Sequence, residues 1–139
     1  MGYVTVAKLL LPLARKYGPK VIVAVVGLVR LYGKNPQAKK FAQDAIGRLQ
    51  RTGRHGRLAA QVDLAREFAT EALTDESVPE RQELARAWLQ RAKVLEMALR
   101  ASRTMPRTSA RKLRLAEVAA KSDALLAEVI ETRAKWSEN

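Results

Sequence analysis

Side chains that commonly carry out catalysis are scarce in this sequence of 139 residues. His55 is the single histidine and there is no cysteine, so thiolate nucleophiles, disulfides and cysteine metal sites are excluded. His55 lies in the loop-like stretch Thr52-Gly53-Arg54-His55-Gly56, and the sequence contains neither a G-x-S-x-G nucleophile motif nor a P-loop. Histidine-rich zinc sites and paired Glu-x-x-His di-iron sites need more histidines than the chain has. The sequence therefore predicts a protein that is not an enzyme and that binds no metal or cofactor.

Four carboxylates recur at every fourth position of one segment: Asp63, Glu67, Glu71 and Asp75. A row of carboxylates could bind divalent cations, but a spacing of four drifts by about 40° per step around a helix. The four carboxylates therefore do not converge on one point. We expect them to form an acidic face that pairs with bases in the first half of the chain or with arginines of segment E, defined below.

Positive charge is distributed very unevenly along the chain. Residues 1–57 contain twelve Lys and Arg and a single acid, Asp44, which gives them a net charge of +11. Residues 58–139 have a net charge of only +1, out of +12 for the whole chain. The most apolar segments also lie in the first half. A basic, apolar half joined to a charge-balanced half indicates an anionic surface as the partner.

Glycine- and proline-containing stretches divide the chain into six segments with helical periodicity. The Val21–Val26 run is β-branched, but no other strand in the chain would pair with it, so helix is favoured there too. The predicted fold class is all-α, with five to six helices: an N-terminal apolar and basic hairpin (A and B) and a three-helix antiparallel unit (D, E and F). The domains are expected at 1–56 and 57–139, with one continuous domain as the alternative. The segments are A (3–17), B (19–33), C (36–51), D (57–74), E (78–103) and F (109–136).

Local signals predict where these helices begin and which faces are buried. Segment C opens with Asn35 as N-cap and Pro36 at its first position, and Ser77 with Glu80 has the spacing of a capping box for segment E. We expect Trp88 to be buried and Trp136 to be partly exposed. The expected apolar stripes are Phe41, Ala42, Ala45, Ile46 and Leu49 in C; Leu58, Val62, Ala65, Phe68, Ala69 and Ala72 in D; Leu84, Ala85, Trp88, Ala92, Leu95 and Leu99 in E; and Leu115, Val118, Ala119, Leu125, Leu126, Val129 and Ile130 in F.

Segments A and B have apolar arcs wider than a helix on a protein core needs, with tyrosines at their ends and lysines or arginines nearby. This combination is typical of amphipathic helices that lie in a membrane interface. Burial of A and B within the fold or in a homo-oligomer gives the same pattern and remains an alternative. The predicted membrane-contact residues are Tyr3, Leu9, Leu10, Leu13, Tyr17, Val21, Val25, Leu28 and Tyr32.

Three groups of cations are candidates for contact with an anion. One group flanks segments A and B, the second lies around the junction of C and D, and the third lies at the turn between E and F, where no acid occurs between Glu96 and Glu117. Bases at the start of segment F also oppose its helix dipole. The predicted anion-contact residues are Lys16, Lys20, Arg30, Lys34, Lys39, Lys40, Arg48, Arg51, Arg54, Arg57, Arg103, Arg107, Arg111 and Lys112.

The functional hypothesis is a non-catalytic helical protein that docks on an anionic membrane through A and B and presents its helical bundle to a protein partner. The first alternative is a nucleic-acid-binding protein that uses the same cations against phosphates, although aromatic stacking partners are scarce. The second is a soluble homo-oligomeric scaffold with A and B buried. The absence of cysteine fits a reducing compartment. We therefore expect a cytoplasmic protein, peripheral at the inner face of the membrane.

Overall fold

The computed structural model describes residues 36–51 and 57–137 of the chain. They form four α-helices, which correspond to segments C to F, and no strand occurs within these ranges. The all-α class is thus confirmed for this part of the chain, whereas segments A and B and the predicted hairpin between them lie outside it. The helices are α1 (Pro36–Arg51), α2 (Arg57–Asp75), α3 (Pro79–Thr104) and α4 (Ser109–Ser137).

The start of α3 corrects one prediction from the sequence. Its N-cap is Val78, with φ −77° and ψ 122°, and no side chain caps the helix, so the capping box expected from Ser77 and Glu80 is wrong. The reason is Pro79: a proline at the first helical position holds the preceding residue in extended backbone, so the N-cap moves from Ser77 to Val78. The turn is instead held by the Gln82 side-chain amide, which donates to the Glu76 carbonyl at 2.7 Å.

Contacts between the helices define their directions. Gln61 meets Asp123 and the Phe68 carbonyl meets Arg133, so α2 and α4 run parallel. Trp88 and Arg91 of α3 meet Glu128 of α4, and Trp88 also meets Trp136 further along α4, which makes α3 antiparallel to α4 and therefore to α2. Short turns at 76–78 and 105–108 make this arrangement possible. The predicted three-helix unit D–E–F is confirmed as an up–down–up bundle.

The core of the bundle combines small residues with a few large ones. Alanines at 65, 69 and 72 on α2 and at 85 and 92 on α3 are almost completely buried, and small side chains let two helices approach closely. Trp88 is 1% exposed and is the largest fully buried side chain. Its indole Nε1 donates to Glu128 Oε2 at 2.6 Å, and its ring stacks on Trp136 at 5.4 Å between centroids. Trp136 itself is half-buried, as expected.

Helix α4 packs against all three other helices, and side chains of α1 also reach α2. The predicted stripe of α2 is buried apart from half-buried Leu58, but Leu64 on another face is buried as well. On α3 the stripe holds except for Leu84, which is exposed. Helix α1 packs onto the unit through half-buried Phe41, whose ring lies 5.8 Å from that of Phe68.

A buried polar group joins α2 to α4. Gln61, Ser122 and Asp123 are all buried, and the Gln61 amide donates to Asp123 Oδ1 at 2.5 Å. The Ser122 hydroxyl donates to Gln61 Oε1 at 3.0 Å. A buried polar side chain is tolerated when its hydrogen bonds are made, and those bonds are lost if the helices slide. This group therefore fixes the register of α2 against α4.

We expect Trp88→Ala to lower the free energy of unfolding by about 3–5 kcal/mol, because it leaves a large cavity between three helices. That loss is a large share of the stability of a domain of this size. Trp136→Ala, at the half-buried partner ring, should cost less. Urea unfolding followed by circular dichroism measures both, and equal costs for the two variants would contradict the assignment of Trp88 to the core.

The fragment 57–139 should fold alone as a helical unit, because α2, α3 and α4 form a continuous core among themselves. It should be less stable than the whole chain, since it lacks the contacts of Phe41 on α1. Thermal unfolding of the fragment and of the intact chain, followed by far-UV circular dichroism, tests this. A fragment without a cooperative transition would mean that residues 1–56 belong to the same core.

Candidate functional site

The structure describes part of the predicted contact residues. All nine predicted membrane-contact residues lie outside the described residues, as does His55. Among the described cations, Lys39, Lys40, Arg48 and Arg51 belong to α1, Arg57 begins α2, and the remaining four surround the turn between α3 and α4. The predicted anion-contact residues outside the described part are Lys16, Lys20, Arg30, Lys34 and Arg54.

The turn between α3 and α4, with the helix ends beside it, forms a concentrated basic surface that we call the α3–α4 tip. Arg103, Arg107, Lys112 and Arg114 are exposed, and Arg111 is half-buried. No acid lies between Glu96 and Glu117, and the first turn of α4 contains none. Within the described ranges, none of these five cations has an ion-pair partner. Arg100, a little earlier on α3, differs because it pairs with Glu96 at 2.8 Å.

Arg111 is the tip residue with an unusual environment. Its Nε is buried and has no hydrogen-bond acceptor in the described part of the chain. A buried N–H without an acceptor is unfavourable, because the group has lost water and gained nothing in return. The tip is therefore the place where this bundle carries both unbalanced charge and an unsatisfied donor.

Arg48 of α1 has a very different environment. Its guanidinium lies 3.1 Å from Asp44, 3.1 Å from Glu67 and 2.6 Å from Glu71, and 5.0 Å from the centre of the Phe68 ring. Burial lowers the pKa of Arg48, but the hydrogen bond and charge of Glu71, with the charges of Asp44 and Glu67, raise it more. The pKa thus lies above its usual value, and Arg48 joins α1 to α2 as a permanent cation.

Arg133 of α4 completes this network and was not singled out in the sequence. It donates to Glu71 at 3.1 Å and to the Phe68 carbonyl at 3.3 Å, and its guanidinium lies 5.2 Å from the Phe41 ring centre. Glu71 therefore forms ion pairs with two arginines, Arg48 of α1 and Arg133 of α4. The network holds three helices together with charge-assisted hydrogen bonds and cation–π contacts.

The acidic face of α2 is largely used by bases of the same chain. The expected pairing with the basic first half is confirmed for Glu67 and Glu71, which bind Arg48. Arg66, between the acids, pairs with Asp63 and reaches Glu96 on α3 at 3.2 Å. In the described part of the chain, no group of three His, Cys, Asp or Glu side chains is placed to hold a metal ion.

The aromatic rings of the described helices form two pairs. Phe41 packs against Phe68, and Trp88 stacks on Trp136. Arg81 lies over the Trp136 ring, 5.1 Å from its centre. The sequence contains two Phe, two Trp and three Tyr, so the aromatic residues beyond these two pairs are the three tyrosines of segments A and B.

No protein-family model matches the chain, and comparisons with curated proteins and with solved structures give no match. Among the described helices, none is both long enough and apolar enough to cross a bilayer.

We expect Arg48→Met to lower the free energy of unfolding by about 1–2 kcal/mol, because charge-assisted hydrogen bonds to three carboxylates are lost at a mostly buried position. The matched control is Arg86→Met, at an exposed position of α3, which should change stability little. Urea unfolding of both variants, with Glu71→Gln alone and combined with Arg48→Met, gives the coupling energy between Arg48 and Glu71. Equal stability of the two Met variants would contradict the role of Arg48.

Proposed function

We propose that this protein is a non-catalytic helical protein that docks on an anionic membrane surface through segments A and B and presents its bundle to a protein partner. The observation that carries the proposal is the charge distribution. The only acid among residues 1–57, Asp44, is paired with Arg48, so no carboxylate in that half is left for its other bases. The excess positive charge is therefore available to an external anion.

Pairing within the bundle supports the same conclusion. More than half of the fourteen acids of the chain already bind a base of the same chain, so fewer than half remain to pair with the excess cations. A cationic protein of this kind is drawn to negative surfaces, where each base near the headgroups contributes to binding. The paired acids are Asp44, Asp63, Glu67, Glu71, Glu76, Glu96, Glu117 and Glu128.

A lipid surface is favoured over nucleic acid by the use of the aromatic side chains. Proteins that bind single-stranded nucleic acid stack bases on exposed aromatic rings. Both Phe residues and both Trp residues are already engaged in ring–ring contacts within the bundle. The tyrosines stand at the ends of apolar segments, which is where interfacial helices place aromatic residues.

The protein-partner part of the proposal is supported by one face of α3. Val94, Met97 and Ala101 follow one another at helical spacing, and all three are exposed, with Met97 at 60%. An apolar row on a water-facing helix gains free energy when another apolar surface covers it. This face is separate from the core residues of α3, so a partner can bind without opening the bundle.

The proposal predicts that the intact chain floats with vesicles of phosphatidylserine and phosphatidylcholine and not with vesicles of phosphatidylcholine alone. Added salt should weaken binding, because the Debye length is about 8 Å at physiological ionic strength, but apolar burial should preserve part of it. Leu10→Glu or Val25→Glu should abolish binding, whereas Ala87→Glu, which places the same charge on an exposed position of α3, should leave most of it.

Three results would contradict this function, and two of them would favour one of the alternatives. Failure to float at low salt refutes membrane docking. Tight duplex DNA binding at physiological salt, with a log–log salt slope near −0.9 per phosphate and loss in Arg51→Gln with Arg54→Gln, would favour the nucleic-acid alternative. A stable oligomer that ignores vesicles and dissociates in Val25→Glu would favour the scaffold with A and B buried.

A further inference from the structure

The α3–α4 tip lies at the opposite end of the bundle from an acidic end. Five cations surround the tip without an acid, whereas the other end, formed by the turn between α2 and α3 and the last turns of α4, has Asp75, Glu76, Glu80, Glu83 and Glu131 against Arg81, Arg133 and Lys135. The described bundle therefore has a concentrated positive charge at one end and a small negative charge at the other. A helical bundle charged in this way turns its positive end toward an anionic surface.

The cluster at the tip does not stabilise the bundle itself. Bases near the first turn of α4 oppose the helix dipole, and like charges close together repel each other. In the part of the chain that the structure describes, the five cations have no carboxylate partner, and the buried Nε of Arg111 has no acceptor. At the junction of α1, α2 and α4, carboxylates of the same chain neutralise Arg48 and Arg133. At the tip, an external anion would reduce the repulsion between the cations in the same way.

The tip also exposes an apolar residue that phosphates alone do not explain. Leu113 lies between Lys112 and Arg114 and is 72% exposed, the highest value among the exposed large apolar side chains of the described helices. Ala110 and Ala116, three residues before and after it, share its face of α4 and are exposed too. Around the helix, Arg114 borders one side of this short apolar strip and Lys112 the other.

An apolar strip with bases on both sides fits the boundary between lipid headgroups and acyl chains. The flanking cations reach phosphate groups, while the leucine enters the apolar layer. A nucleic-acid backbone offers the same phosphates but gives no place for an exposed leucine. Glu117, paired with Lys121 at 3.1 Å, ends the strip after two turns, so the contact is confined to the end of the bundle.

We propose that the α3–α4 tip is a second membrane contact, in which Arg103, Arg107, Lys112 and Arg114 bind anionic lipid headgroups and Leu113 inserts at the acyl boundary. The inference rests on the proposed function for the identity of the surface but concerns a different part of the chain. With the tip against the membrane, the bundle stands on its end, and the acidic turn between α2 and α3 points away from the lipid.

The absence of cysteine allows a direct test on the full-length chain, because one introduced cysteine is a unique labelling site. Leu113→Cys and, at the exposed opposite end, Glu80→Cys are each labelled with a polarity-sensitive fluorophore and mixed with phosphatidylserine-containing vesicles. We expect a blue shift and quenching by a lipid-borne quencher at position 113 only. If the chain binds vesicles while the label at 113 stays in water, the tip inference fails and the proposed function stands.

Charge removal provides a second measurement. Lys112→Gln with Arg114→Gln should weaken vesicle binding about fivefold per cation removed. The matched control, Arg86→Gln with Lys93→Gln, removes the same charge from exposed positions on the side of α3 and should have a smaller effect. Equal effects of the two pairs would overturn the tip as a specific contact, because they would show a response to net charge alone.

The two proposals can fail separately. If Val25→Glu still binds weakly at low salt with the label at 113 in lipid, the tip contact is supported and sole docking through A and B is refuted. If the double variant Lys112→Gln with Arg114→Gln loses affinity for duplex DNA and keeps its affinity for vesicles, the tip is a nucleic-acid contact and the inference is overturned. If the intact chain binds no vesicles, both proposals fall.

Discussion

The close packing of α2 against α3 is the constraint on which the rest of this structure depends. Alanines on both helices are buried where larger residues would hold the helices apart, and Trp88 fills the space that remains beside α4. This arrangement leaves room for α4, which contacts both of these helices and α1. Hydrophobic burial supplies the driving force, while the small side chains determine how near the helices lie. The positions of the charged groups follow from that geometry.

The sequence predicts the helices and most of the core because those features depend on local patterns. Segment C coincides with α1, and the stripe of segment E is buried apart from Leu84, since periodicity and proline positions act within a few residues. The capping box failed because Pro79 restricts the residue before it, a constraint that outweighs the Ser–Glu spacing. Boundaries are therefore predictable where a proline or glycine dictates them.

Polar contacts between residues far apart in the chain could not be predicted from the sequence. Gln61 can be buried because Ser122 and Asp123, about sixty residues later, form hydrogen bonds with it. No residue near Gln61 in the sequence indicates these partners. In the sequence Arg48 resembles its basic neighbours, yet in the structure it lies among three carboxylates. Arg133 likewise has no local signal in the sequence, because its partners Glu71 and Phe68 lie about sixty residues earlier. The basic cluster at the α3–α4 tip could be predicted, because a stretch of sequence with several bases and no acid is enough to indicate it. The exposure of Leu113 among them needed the structure.

The concentration of positive charge at one end of the described bundle has a consequence for how that bundle approaches a surface. A body whose positive charge is concentrated at one end has a dipole moment, and the field of a charged plane exerts a torque on a dipole. Screening confines that torque to separations of about 8 Å at physiological ionic strength, so it acts in the final stage of an encounter. Fewer encounters then begin with the wrong face, which raises the association rate without adding any contact in the bound state.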